Sequence, residues 1–151
     1  MTPFYYSRSE QYSKMARMFY VEFLTTKAVY DSGKFVVKED AFRENICAAI
    51  NLCQKIDDSY IGAIVFEAMA IESYVNLMGV YLTDENVYYK ETRKKSTKEK
   101  LSYIFGEMGK EFPEDLKEKI GGLFSKRNDL VHQKPRAIVI DIQNSDRETI
   151  L

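Results

Sequence analysis

A chain of 151 residues with 45% hydrophobic and 30% charged side chains has the balance of one ordinary globular domain, long enough to bury a core without disulfides or metals. Its 11 tyrosines and 9 phenylalanines argue against disorder, because such rings need burial. With 22 basic against 23 acidic side chains the net charge is -1, which excludes a protein held on nucleic acid by bulk charge and leaves that task to local patches.

In chain order, residues 10–30 read as a first helix, with Met15, Met18, Phe19, Glu22, Phe23 and Thr26 on one side and a stop at Asp31-Ser32-Gly33. Residues 34–38 (KFVVK) are short and β-like. A second helix is expected over residues 39–55, where Phe42, Ile46, Ala49, Ile50 and Cys53 repeat at helical spacing. Asp57-Asp58-Ser59 supplies an N-cap for a third helix. That helix has the cleanest pattern in the chain, a seam of Ile61, Ile64, Ala68, Ile71, Val75, Met78 and Leu82. Residues 84–92 read as a polar connection carrying Tyr88 and Tyr89.

Ser96-Thr97-Lys98-Glu99 has the form of a capping box opening a fourth helix, with Leu101, Ile104, Phe105 and Met108 inward and Gly109 as its C-terminal cap. Pro113-Glu114-Asp115 suits the first turn of a fifth helix, which runs to His132 or Gln133 and is closed by Pro135. Residues 137–142 (AIVIDI) alternate like a short strand that could pair with residues 34–38. The expectation is an all-α bundle of about five helices with at most a small β element at 34–38 and 137–142. It forms a single domain, with a core over about 39–135 and an extra N-terminal helix.

Cys47 and Cys53 sit six residues apart, roughly 120° around a helix, so they do not bridge each other. That is no metal spacing, and the single histidine cannot complete a zinc site. Buried free thiols in a reducing compartment are expected, and no metal or other cofactor is implied. No N-terminal apolar segment has the pattern of a signal peptide. The most apolar stretch, residues 61–82, contains Glu67, Glu72 and Asn76, as a core helix does and a membrane span does not. A cytoplasmic protein with no membrane contact is expected.

The residues that bear on chemistry lie late in the chain. Leu116, Ile120, Leu123 and Leu130 mark a buried stripe in the fifth helix, and the slot between the last two is filled by Arg127. A guanidinium in a core register is costly unless it is paired or opens onto a cleft. It either forms an ion pair, for which Glu72 or Glu67 is available, or lines a site that receives an anion. His132 is the only histidine, with Asn128 one turn earlier and Asp129 three residues earlier, either of which can orient an imidazole. Glu72 and Asn76, four residues apart beside the apolar seam, are either a hydrogen-bonded polar edge or the support of that same end. Two basic patches are candidates for nucleic acid or simply solvated faces. One spans residues 90–100, with Lys94 and Lys95; the other spans residues 126–136, with Lys126 and Lys134.

Residues 63–76 (AIVFEAMAIESYVN) and 123–132 (LFSKRNDLVH) together resemble the HEPN superfamily of helical domains found in nucleic-acid-processing and defence systems. The first looks like the family's core helix. The second has its pattern of Arg, a polar residue, and His after four to six positions. Residues 98–108 fall where such domains place another helix, and the resemblance covers about 39–135. It implies a metal-independent ribonuclease site of Arg127 and His132, with Asn128 as the polar neighbour. It also implies a homodimer whose motifs face each other across a cleft, RNA or a nucleotide as ligand, and an antitoxin or defence-system protein as partner. Many members use the fold for interaction alone, so a non-catalytic nucleotide-binding or interaction module is the alternative.

Overall fold

The structure, a computed structural model, describes residues 3–33 and 42–132. Within them the chain is all-α. Five helices follow in order, α1 (Pro3–Asp31), α2 (Phe42–Leu82), α3 (Glu85–Thr92), α4 (Thr97–Glu107) and α5 (Glu114–Val131), and no strand occurs among the described residues. The β-like segments at 34–38 and 137–142 lie outside the described residues.

α2 is the spine. Its 41 residues run for about 60 Å at 1.5 Å per residue, and α1, α3, α4 and α5 all pack against it. The expected break at residues 57–59 does not occur, and the reason is energetic. An N-cap is worth about 1 kcal/mol, whereas an unbroken α2 stays packed along α1 through this level. Ser59 is buried against that helix. Phe19 stacks on Phe66 at 5.5 Å, Phe23 meets Tyr60 at 5.6 Å, and Phe19 lies directly on Gly62. Lys55 and Glu22 close an ion pair across the same seam at 3.1 Å.

The buried side of α1 differs from the expected one. Ala16 and Thr26 are buried and Phe19 and Phe23 half-buried, while Met15 and Met18 are exposed. The stripe of Ile46, Ile50 and Cys53 is also exposed, because α1 covers a different side of α2. Both cysteines are free and exposed, not buried as the sequence suggests. By length and composition alone α2 could cross a membrane.

The stretch expected as a connection is the helix α3. Asp84 caps it by accepting from the Asn86 amide at 2.9 Å, which the polar composition of residues 84–92 conceals. Its Tyr88 is fully buried in a core with Val75 and Ile104. Tyr88 reaches that position because Gly79 has no side chain: a Cβ there would come 2.0 Å from the Tyr88 ring. The Tyr88 hydroxyl donates to Asn76 Oδ1 at 3.1 Å, and Lys100 Nζ donates to the same oxygen at 3.1 Å. Burial holds the Tyr88 phenol above its ordinary pKa.

The capping box of α4 forms as the sequence indicates. Ser96 Oγ accepts from the Glu99 amide at 3.4 Å, and Glu99 accepts from the Ser96 amide at 2.7 Å. The helix ends in a Schellman motif around Gly109, at φ +64, with Lys110 donating to Phe105 and Gly109 to Gly106, both at 2.9 Å. Phe105 then stacks on Phe112 at 4.9 Å, turning the chain into α5. Pro113 is the N-cap of that helix, one position before its expected place. Of the α5 stripe, Ile120 is buried, Leu123 and Leu130 are half-buried, and Leu116 is exposed.

Gly79→Ala forces the Tyr88 ring out of its seat and is expected to lower stability by about 1–3 kcal/mol in urea unfolding. Gly106→Ala, where nothing lies within 4 Å of the added carbon, is the control. It is expected to be neutral or to stabilise α4 by up to about 1 kcal/mol.

Candidate functional site

A groove of about 510 Å³ opens between α2, the start of α4 and the last turns of α5. Glu72 forms its α2 wall. Lys95, Ser96, Thr97 and Lys98 form a second wall, and Gly121, Phe124, Ser125, Arg127 and Asn128 a third. The walls therefore carry three cations, Lys95, Lys98 and Arg127, against one carboxylate, Glu72.

Each wall is fixed by local structure. The capping box sets the Ser96–Lys98 turn, so the N-terminus of α4, the positive end of its dipole, opens on the groove. Lys95 Nζ lies over the Tyr103 ring at 5.2 Å from its centroid, which ties its stem to α4 and leaves its charge at the rim. Gly121 adds no side chain to the α5 wall, and a Cβ there would meet nothing within 4 Å.

Arg127 is half-buried in this wall. Its Nη1 donates to Asn128 Oδ1 at 3.0 Å. Among the described residues, no ion pair joins it to Glu67 or Glu72. Glu72 shares the groove with it, while Glu67 lines a different, apolar cleft with Ile71, Leu101 and Leu123. Of the two fates open to a guanidinium in this register, the geometry is that of a cation lining a cleft. One of its five donors is engaged by Asn128, and the planar fork is left for an anion.

The remaining candidates divide. Asn76 serves the Tyr88–Lys100 knot and does not line the groove. His132 is the C-cap of α5, exposed, with its amide donating to the Asn128 carbonyl at 2.9 Å. Its ring is not among the groove walls. The Asn128 side chain is held by Arg127 instead of by the histidine. Asp129 and Lys126 are exposed on α5 outside the groove lining, as is Lys94 after α3. Lys134 lies outside the described residues. Ser96, Thr97 and Ser125 were not legible from sequence as groove walls, and Lys98 was legible only as part of the basic run at residues 90–100. The signal at that turn was a capping box flanked by lysines, visible only as a helix start. No group of three or more metal-ligating side chains occurs among the described residues. Comparison with family models, curated proteins and solved structures finds no match to this chain.

Because Arg127 has no carboxylate partner among the described residues, Arg127→Ala is expected to change stability by less than about 1 kcal/mol. A loss of about 3–5 kcal/mol, the effect of stranding a buried partner, would show that an ion pair had been broken. Glu99 yields a pH dependence. Hydrogen bonds from the Ser96 hydroxyl and amide hold its carboxyl below the ordinary 4.5. A depressed folded pKa adds stability that is present above the unfolded value and is lost as pH falls through the folded one. The melting temperature is therefore expected to drop below about pH 4.5 in part through Glu99, and Glu99→Gln is expected to flatten that acid limb.

Proposed function

We propose that this chain is a HEPN-like cytoplasmic domain that acts on RNA as a metal-independent endoribonuclease, working as a homodimer in a defence or toxin–antitoxin setting. The observation that carries this reading is the half-buried Arg127, unpaired by any carboxylate among the described residues, in a groove whose other walls bring Lys95, Lys98 and a helix N-terminus. Such a cradle fits a phosphodiester. The motif resemblance supplies the nucleic-acid context.

The chemistry is attack of a ribose 2′-hydroxyl on the adjacent phosphorus. The O2′–P bond forms, the P–O5′ bond breaks, and the products are a 2′,3′-cyclic phosphate and a free 5′-hydroxyl. Arg127 holds the non-bridging oxygens, and its charge counts for more as the phosphorane gathers negative charge. His132 takes the proton from O2′ or returns one to O5′. One chain owns a single histidine, so a base and an acid together call for a second copy whose α5 end meets the first.

A second reading is favoured by the position of His132. The ring is exposed and outside the groove lining, as expected of a non-catalytic module in which the groove binds a nucleotide phosphate or a partner protein and the histidine only ends a helix.

Incubation with RNA in EDTA decides between them. The ribonuclease reading expects fragments ending in cyclic phosphate, lost in Arg127→Ala and in His132→Ala while both variants keep their helical circular dichroism. Cleavage unchanged in both variants overturns it. Binding of a nucleotide that needs Arg127 and ignores His132, without cleavage, selects the second reading.

A further inference from the structure

We infer that the outer half of the α1–α2 hairpin is a self-association surface, on which a second copy of this chain docks to complete a four-helix bundle. α1 has α2 as its one substantial neighbour among the described helices. The three shorter helices all follow α2 in the chain, and the groove they form with it begins at Glu72. Residues 43–60 of α2 and 15–31 of α1 thus form a two-helix projection. An isolated pair of helices buries one stripe of each and leaves the rest in water, an arrangement of low intrinsic stability.

The uncovered side is patterned for another helix pair. Ile46, Ile50, Cys53, Asp57 and Tyr60 step by four, three, four and three along α2, and Tyr20, Leu24, Lys27 and Asp31 do the same along α1. This is the spacing of a helix-packing seam. Both stripes lie on one side of the hairpin. Phe23 links them by touching Tyr20 and Tyr60, at 6.4 and 5.6 Å between ring centroids, and the Cys53 thiol near Tyr30 raises that phenol's pKa.

The size fits one copy. Tyr20, Leu24, Tyr30, Ile46, Ile50 and Tyr60 are 55, 47, 38, 42, 51 and 37% exposed. At roughly 150–200 Å² for a whole side chain, they offer on the order of 400–500 Å² of apolar surface. One partner of a standard interface gives up about 800 Å², a little over half of it apolar, so the patch supplies the apolar share of one such side.

Charge permits a second copy. Residues 15–31 of α1 carry Arg17 and Lys27 against Glu22 and Asp31, and residues 43–60 of α2 carry Arg43 and Lys55 against Glu44, Asp57 and Asp58. Neither helix presents a strong charge of one sign, so two copies meet without like-charge repulsion. The stretches together carry no basic excess, which a surface for anionic lipid needs. With neighbouring helices antiparallel, the two-fold axis runs along the bundle and both grooves lie at the same end. The pairing stands apart from the groove's chemistry.

Sedimentation equilibrium of the whole chain is the test. A dimer is expected through the micromolar range, and Leu24→Glu combined with Ile50→Glu is expected to give a monomer with unchanged helical circular dichroism, since both positions are exposed. A monomeric wild type overturns the inference, as does a double variant that remains dimeric. So does a wild type that is monomeric in solution and sediments with phosphatidylcholine vesicles, which would assign the patch to lipid. Arg127→Ala is expected to remain a dimer, so loss of RNA cleavage in it with the mass unchanged bears on the groove alone.

Discussion

The close approach of Tyr88 to Gly79 is the contact on which the rest of the structure depends. A fully buried tyrosine on an eight-residue helix sits where any side chain on α2 would exclude it. Burial of the ring repays the weak helix propensity of the glycine, because an aromatic side chain removes far more apolar surface from water than the roughly 1 kcal/mol a helical glycine costs. The phenol then needs a partner in a dry site, and Asn76, one turn before Gly79 on α2, accepts its proton. By accepting from Lys100 as well, Asn76 fixes α3 and α4 against one point of α2. The Thr92 hydroxyl, donating to the Tyr88 carbonyl at 2.7 Å, closes the last turn of α3 over the same point.

From that point the groove follows. With α3 and α4 pinned, the connection between them must end at Ser96, and its capping box directs the α4 N-terminus toward α5. α5 arrives from the other side, turned by the Schellman motif at Gly109 and by the Phe105–Phe112 stack. Arg127 is accommodated half-buried because it meets a polar wall and the Asn128 amide oxygen, and not the apolar cleft toward the start of α5. Two clefts on one helix, one apolar and one cationic, follow from which residues face α2 at each level.

Local signals carried their information into the sequence faithfully. The Ser96–Glu99 box, the stop at Gly109 and the end of α5 at His132 are all where residue types demand them, because each depends on neighbours within four or five positions. The boundary at residues 57–59 was misleading because its own local signal, two aspartates and a serine, was outweighed by packing along α1, a contact between residues about forty apart in the chain. α3 was hidden for the same reason: its polar composition says loop, and only the space above Gly79 makes Tyr88 worth burying. The anomaly of Arg127 was visible as a charged residue in an apolar register. The lysines opposite it were visible only as a basic run at residues 90–100, since nothing local says that the turn before α4 faces α5.

The misplaced stripes are the most informative disagreement. Ile46, Ile50 and Cys53 have the periodicity of buried positions, and within one chain they are not buried. A helix can satisfy two apolar faces only if two layers cover it, and α2 has two layers only over its second half, where α1 lies on one side and α3, α4 and α5 on the other. Over its first half α1 is the single layer. The same helix that is packed to completion around Val75 is thus packed to one side around Ile50. The inferred pairing of two copies rests on this mismatch, a sequence that keeps apolar positions on a side the fold does not cover. The division along α2 then has a physical meaning: the half that is covered on both sides shapes the groove, and the half that is covered on one side leaves its apolar stripe exposed.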